Sequence, residues 1–203
     1  MLCSMPPRIT RRSDAARTAI LTAAVELVGE VGYGKSSIEA IAARAGVGKQ
    51  TIYRWWPSKG SVLLDAYLDA NVGGEPEDPQ GLPNTGDLVA DIKAVLRATV
   101  DELNDPRFER PLRALTVAVL EDESLAAEYS RRLDEPTRRL KKERLCAAQR
   151  QGQLSPEVDL DAVVDTLFAP VAQRWLLRSG PLTYEYTDHL VETVLTGLLW
   201  PRS

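Results

Sequence analysis

The sequence predicts an all-α protein of about nine helices, and three observations predict it. Apolar residues recur three and four apart through most of the chain, as in Leu160, Val163, Val164, Leu167, Phe168, Val171, Trp175 and Leu176. No segment shows the strict alternation of a half-buried strand. Glycine and proline gather where the periodicity breaks; they make up seven of the fourteen residues in GGEPEDPQGLPNTG, 73–86. The 203 residues, 44% hydrophobic and 27% charged, are ordinary for one or two small globular domains. No apolar run approaches the roughly 20 residues of a membrane span. The opening MLCSMPPR lacks the apolar stretch of a secretory signal. Cys3 and Cys146 match no metal or disulfide spacing, so a reducing cytoplasm is the expected home.

The division expected from this pattern is a basic, disordered arm at 1–12, a head at 13–72, a Gly/Pro-rich loop at 73–86 and a helical body at 87–203. Ser13 is the expected cap of the first helix, which buries Ile20, Ala24, Leu27, Val28 and Val31 and ends at Gly32. Ser36 is the expected cap of the second, with Glu39 completing a capping box and Ile38, Ile41, Ala42 and Ala45 on its apolar face. Gly46 turns the chain, a third helix runs from Lys49 to Trp56, and Pro57 stops it. Ser58 caps the fourth helix, striped by Val62, Leu63, Ala66 and Tyr67.

Helix, short glycine turn, helix over about 36–56 is helix–turn–helix grammar, in which the second helix enters the DNA major groove. On a helical wheel Ile52 and Trp55 face the preceding helix. Gln50, Tyr53 and Arg54 face away, with Lys49 and Thr51 at the edges, a set rich in groups that read base edges or grip phosphates. Charge is divided accordingly. Residues 1–60 carry nine basic and four acidic side chains, a net of +5, which leaves −9 elsewhere in a chain whose total is −4. A basic head meets phosphate while an acidic body opposes indiscriminate coating of DNA.

With Ser36-Ser37, Ile41-Ala42, Ala45-Gly46-Val47, Thr51-Ile52-Tyr53, Trp56 and Ser58-Lys59 in register, the stretch closely resembles the DNA-binding domain of the tetracycline-repressor (TetR) family. Trp55 and Gly48 depart from it; the family often carries a polar residue and a serine there. The expected DNA-binding set is Ser36, Ser37, Lys49, Gln50, Thr51, Tyr53, Arg54 and Lys59, the last placed to meet a phosphate at a helix start.

The body reads as helices only. Leu88 to Leu103 form one, closed by Asn104-Asp105-Pro106, and Phe108, Leu112, Leu115 and Val119 mark the next. Ser124 is the expected cap of a long segment to Gln151 that Pro136 kinks or splits. Its basic run Arg138-Arg139-Leu140-Lys141-Lys142 reads as a solvated face paired with nearby acids. Two apolar helices, from Leu160 and around Tyr186 to Leu198, close the chain. The resemblance implies that they pair with their twins in a homodimer, with Leu167, Val171, Val191 and Leu195 as interface candidates, and that double-stranded DNA is bound as an inverted repeat. It also implies a small-molecule effector of unspecified identity inside the body, with Leu115, Tyr129, Phe168 and Trp175 as candidate lining and Pro170 opening a gap beside them. No cofactor, metal site or catalytic cluster emerges; His189, the single histidine, reads as a surface or packing residue. The expected function is a ligand-responsive DNA-binding transcriptional regulator, a repressor released by a small molecule. The alternative is a helical small-molecule-binding or interaction protein with a vestigial DNA-binding head.

Overall fold

In the computed structural model residues 8–72 and 81–196 are described. They form ten α-helices and no β-strand: α1 (Arg8–Val31), α2 (Ile38–Ala45), α3 (Lys49–Tyr53), α4 (Lys59–Val72), α5 (Leu88–Asn104), α6 (Pro106–Glu121), α7 (Glu123–Tyr129), α8 (Glu135–Arg150), α9 (Leu160–Leu177) and α10 (Tyr184–Thr196). A π-helical turn, Ser130–Asp134, joins α7 to α8. The single long segment expected there is therefore split at Pro136, which sits in the first turn of α8, where a missing N–H costs nothing. Most of the expected arm, Cys3, most of the 73–86 loop and the last turn expected through Leu198 lie outside the described residues. Helix α1 starts at Arg8, five residues ahead of the expected Ser13 cap.

The chain packs as two compact units. One contains 8–72 together with 110–129, the other 81–109 together with 130–196. The first core is built from Ile20, Ala24, Ile41, Ile52, Val62 and Leu64, joined by Leu115 and Ala118 of α6 and Leu125 of α7. The head core thus draws on two helices that follow the Gly/Pro-rich stretch in sequence. Gly60 shows how close they come: a Cβ there would lie 2.5 Å from Leu125 and 3.4 Å from Ala118. Val31, expected on the buried face of α1, is instead 40% exposed in its last turn.

The second core is formed by α5, α8, α9 and α10 around Ile92, Leu96, Leu145, Leu154, Val164 and Leu167. Inside it the Arg144 guanidinium is 2.7 Å from Asp91, both side chains almost wholly buried. Asp91 also accepts from the Thr85 hydroxyl at 2.7 Å and from its backbone N–H at 3.0 Å. Arg144 Nε donates to the carbonyl of Pro83 at 2.8 Å. Burial alone would raise the Asp91 carboxyl; the hydrogen bonds from Arg144 and Thr85 more than reverse this and hold it below the ordinary carboxylate range. The pair joins α5 to α8 across 53 residues, and its bonds to Pro83 and Thr85 tie down the segment before α5.

Two expected caps move by one or two positions. Ser37, not Ser36, caps α2, accepting from the Ala40 N–H at 3.1 Å. Asp122, not Ser124, caps α7, accepting from the Leu125 N–H at 3.1 Å. Ser58 caps α4 as expected, its hydroxyl accepting from the Ser61 N–H at 3.2 Å.

Candidate functional site

Helix α3 is held by the elements around it rather than by its own length. Five residues are too few for a stable isolated helix. Its N-terminus has Gly48 as cap and no capping side chain. What fixes it is the turn before it and the anchor after it. Gly46 takes the left-handed conformation (φ 67°, ψ 31°) and its N–H returns to the carbonyls of Ala42 and Ala43; glycine adopts this geometry without steric cost. Ile52 is fully buried and Trp56 nearly so. The Trp56 indole N–H donates to Asp65 on α4 at 2.9 Å, and Arg17 of α1 reaches Asp69 at 2.8 Å and Asp65 at 3.5 Å. Trp55, expected to face α2, is half-buried. Its ring stands edge-on to Trp56 with centroids 5.4 Å apart, and Arg54 lies over it at 5.1 Å. The helix is shorter than expected, ending at Tyr53, with 54 and 55 in a turn.

The opposite face is polar and open. Lys49, Gln50, Tyr53 and Arg54 are exposed and Thr51 partly so. Tyr53, at 48% exposure, is a large aromatic in water with a hydroxyl at its tip. Lys49 makes only a long contact, 3.7 Å, with Glu39. On α2, Arg44 forms a two-pronged pair with Glu30 of α1 at 2.8 and 2.5 Å, which lowers the Glu30 carboxyl below its usual range.

Ser36 and Lys59 sit differently from the rest of the expected set. The Ser36 side chain is buried and its hydroxyl donates to the Tyr33 carbonyl at 2.8 Å. The Lys59 ammonium donates to the carbonyls of Tyr33 at 2.7 Å and Ser36 at 3.1 Å, and lies 3.9 Å above the Tyr33 ring. Burial, then the nearby carboxylates of Glu121 and Asp122, push the Tyr33 phenol up. The corner before α2 is thus stapled to the first turn of α4, and the positive charge that opposes the α4 dipole is balanced by carbonyl oxygens.

In the second unit, α5, α8 and α9 line a half-open pocket of about 440 Å³, with Leu82 and Asp134 at its edge. Val95, Leu96 and Leu103 line it from α5, and Val164, Phe168 and Val171 from α9. Residues on both sides of Pro170 contribute to the wall. Of the four expected lining residues, Phe168 is there. Leu115 and Tyr129 belong to the other unit, where Leu115 is fully buried core, and Trp175 packs against the second core outside this lining. The four dimer candidates Leu167, Val171, Val191 and Leu195 are all within 2% of complete burial inside their own protomer. Periodicity picked out the apolar stripes of α9 and α10 correctly but not which way they point.

Within the basic run of α8, Arg138 and Lys142 pair with acids, as expected, while Lys141 lies over the Phe168 ring. Arg138 meets Asp161 at 3.0 Å and Asp165 at 2.6 Å, and Lys142 meets Asp161 at 2.7 Å. These bonds hold both carboxyls below the usual range and raise the Arg138 guanidinium further. Asp159 caps α9. Among the described residues no group of three or more His, Cys, Asp or Glu is arranged to hold a metal, and no helix is long and apolar enough to cross a membrane.

Comparison with known proteins agrees with this geometry. Residues 20–66 match the family model "Bacterial regulatory proteins, tetR family", and residues 82–194 match "Tetracyclin repressor-like, C-terminal domain". The chain is 31% identical over 188 residues to the uncharacterized HTH-type transcriptional regulator YdeS of Bacillus subtilis, covering 92% of this chain and 91% of the relative. It is 30% identical over 193 residues to the DNA-binding transcriptional repressor TetR of Mycobacteroides abscessus, covering 94% and 97%. The crystal structure of the TetR family transcription regulator SCO0332 superposes with a TM-score of 0.69 at 36% identity, covering 90% of this chain and 98% of that one. With both segments matched and relatives aligned over nearly their full length, the chain belongs to the TetR family of helix–turn–helix transcriptional regulators.

Proposed function

We propose that the chain is a homodimeric repressor that reads an inverted-repeat operator through α3 and leaves it when a small molecule occupies the cavity of the body. The observation that carries this reading is the two-sidedness of α3. Ile52 and Trp56 are locked into the core, while Lys49, Gln50, Tyr53 and Arg54 are exposed and Thr51 partly so, forming a polar face. Ser37 stands at the α2 N-terminus, where its hydroxyl is engaged as the cap, beside the same surface. Ser36 and Lys59 act from beneath, fixing that corner in place. Operator DNA as the partner makes the cytoplasm the working compartment.

Subunit pairing falls to the outward face of α9. Ala162, Thr166, Ala169, Gln173 and Leu177 are exposed on one side of that helix, and Leu177 is 64% exposed. An isologous contact across such a face gives the two-fold symmetry that an inverted repeat requires.

Selection of genomic fragments with the purified protein yields the operator, and fluorescence anisotropy then measures affinity. Arg54→Ala and Tyr53→Ala should each abolish specific binding without loss of helical circular dichroism. Wild-type affinity should fall steeply with salt as counterions are displaced. A folded double variant that still binds the selected DNA normally overturns the assignment of this face.

A further inference from the structure

The cavity wall holds two cations in unlike circumstances. Arg138 is spent on Asp161 and Asp165. Lys141, one helical turn further along α8, is half-buried on the same wall and has no carboxylate within salt-bridge distance among the described residues. Its ammonium lies 3.9 Å from the centroid of the Phe168 ring. Of the two acids on the wall, Asp165 is neutralised by Arg138, and Asp134 is exposed to water. Burial lowers the Lys141 ammonium, more than Asp134 raises it and with Arg138 adding to the lowering. Thr99 and Thr137 also line it, their hydroxyls donating to the carbonyls of Val95 and Leu133, and the rest of the wall is aliphatic and aromatic.

Taking the body as the effector-binding half, on which this inference rests, we infer that the effector is an amphipathic monoanion whose charged group pairs with Lys141 and whose apolar part lies against Val95, Leu103, Val164 and Phe168. The volume suits a molecule at the small end of the usual pocket range of about 300–1,000 Å³. A single unspent ammonium suits one negative charge, and a carboxylate carried on a ring or short chain has both required halves. A neutral ligand leaves the ammonium as poorly solvated as before, and a cationic one adds repulsion.

The test uses three probes of one shape and different charge: 2-naphthoate, 2-naphthamide and 2-naphthylmethylammonium. Each is titrated calorimetrically into the full-length protein at pH 7.5. Naphthoate should bind at least tenfold more tightly than the amide, and the ammonium compound least. Lys141→Met should remove that preference while leaving amide affinity within twofold, and Lys141→Arg should retain it. Thr99→Trp, which fills the cavity from α5, should weaken all binding. An amide that binds the wild type as well as the carboxylate, or a carboxylate preference that survives in Lys141→Met, overturns the anion while leaving the cavity as the ligand site. Binding by no probe, or binding indifferent to Thr99→Trp, overturns the cavity itself.

Discussion

Each unit contains a lysine resting on an aromatic ring at the same distance. Lys59 lies 3.9 Å above Tyr33 in the head, and Lys141 lies 3.9 Å above Phe168 in the body. The difference is in what else the ammonium touches. Lys59 donates to two backbone carbonyls; Lys141 rests on the ring, with Asp134 acting on it only through space. A cation whose donors are spent inside the protein is a fastener. A cation desolvated without them is held ready for something that arrives. The comparison separates a side chain that fixes the DNA-reading surface from one suited to meeting a ligand.

The largest expected effect comes from the buried cation Arg144, whose Nε and one terminal nitrogen bond to Asp91. Arg144→Met should cost about 3–5 kcal/mol in urea unfolding, because it strands the Asp91 carboxylate in the core. The carboxyl is held low in the folded state, so its contribution is complete above the unfolded value near about 3.9. It is lost as the pH falls through the folded value, and Asp91→Asn should therefore flatten the acid limb of the stability profile. Next, Lys59→Met should cost about 2 kcal/mol, the range for hydrogen bonds to a charged group, and should weaken operator binding by loosening the corner at Ser36. Ser37→Ala sharpens the comparison by removing a neutral bond from the same corner, at about 1 kcal/mol. Smallest of all, Lys141→Met should change stability by less than about 0.5 kcal/mol. Equal costs at Lys59 and Lys141, measured by the same unfolding experiment, would erase the distinction.

Much of the head was legible from sequence because its signals are local. Gly46 requires a left-handed turn, Ser58 begins α4, and the alternation of Ile52 with polar neighbours orients α3, although α3 ends at Tyr53, short of the expected stop at Pro57. What was missed depends on distance along the chain. Lys59 finds its carbonyl partners 23 and 26 residues earlier, so its basic charge alone suggested a phosphate contact. Two adjacent serines offered the same cap chemistry, and only the carbonyl of Tyr33, which takes the Ser36 hydroxyl, decides for Ser37. In the body, helical spacing identified the apolar stripes of α9 and α10 but carried no information on whether Leu167 or Val191 faces its own protomer or another. The cavity needs three helices at once, and of its expected lining only Phe168, in the strongest periodic run, was found.

The placement of α6 and α7 in the head core matters for anyone who would recombine regulators of this kind. The stretch at 73–86 invites a cut, since one family match ends at 66 and the other begins at 82. A fragment ending there would bare Gly60 by losing Ala118 and Leu125, and a chimera joined there would confront it with foreign side chains. A transplantable DNA-reading module from this chain must carry residues 110–129 with it, or have its exposed floor redesigned.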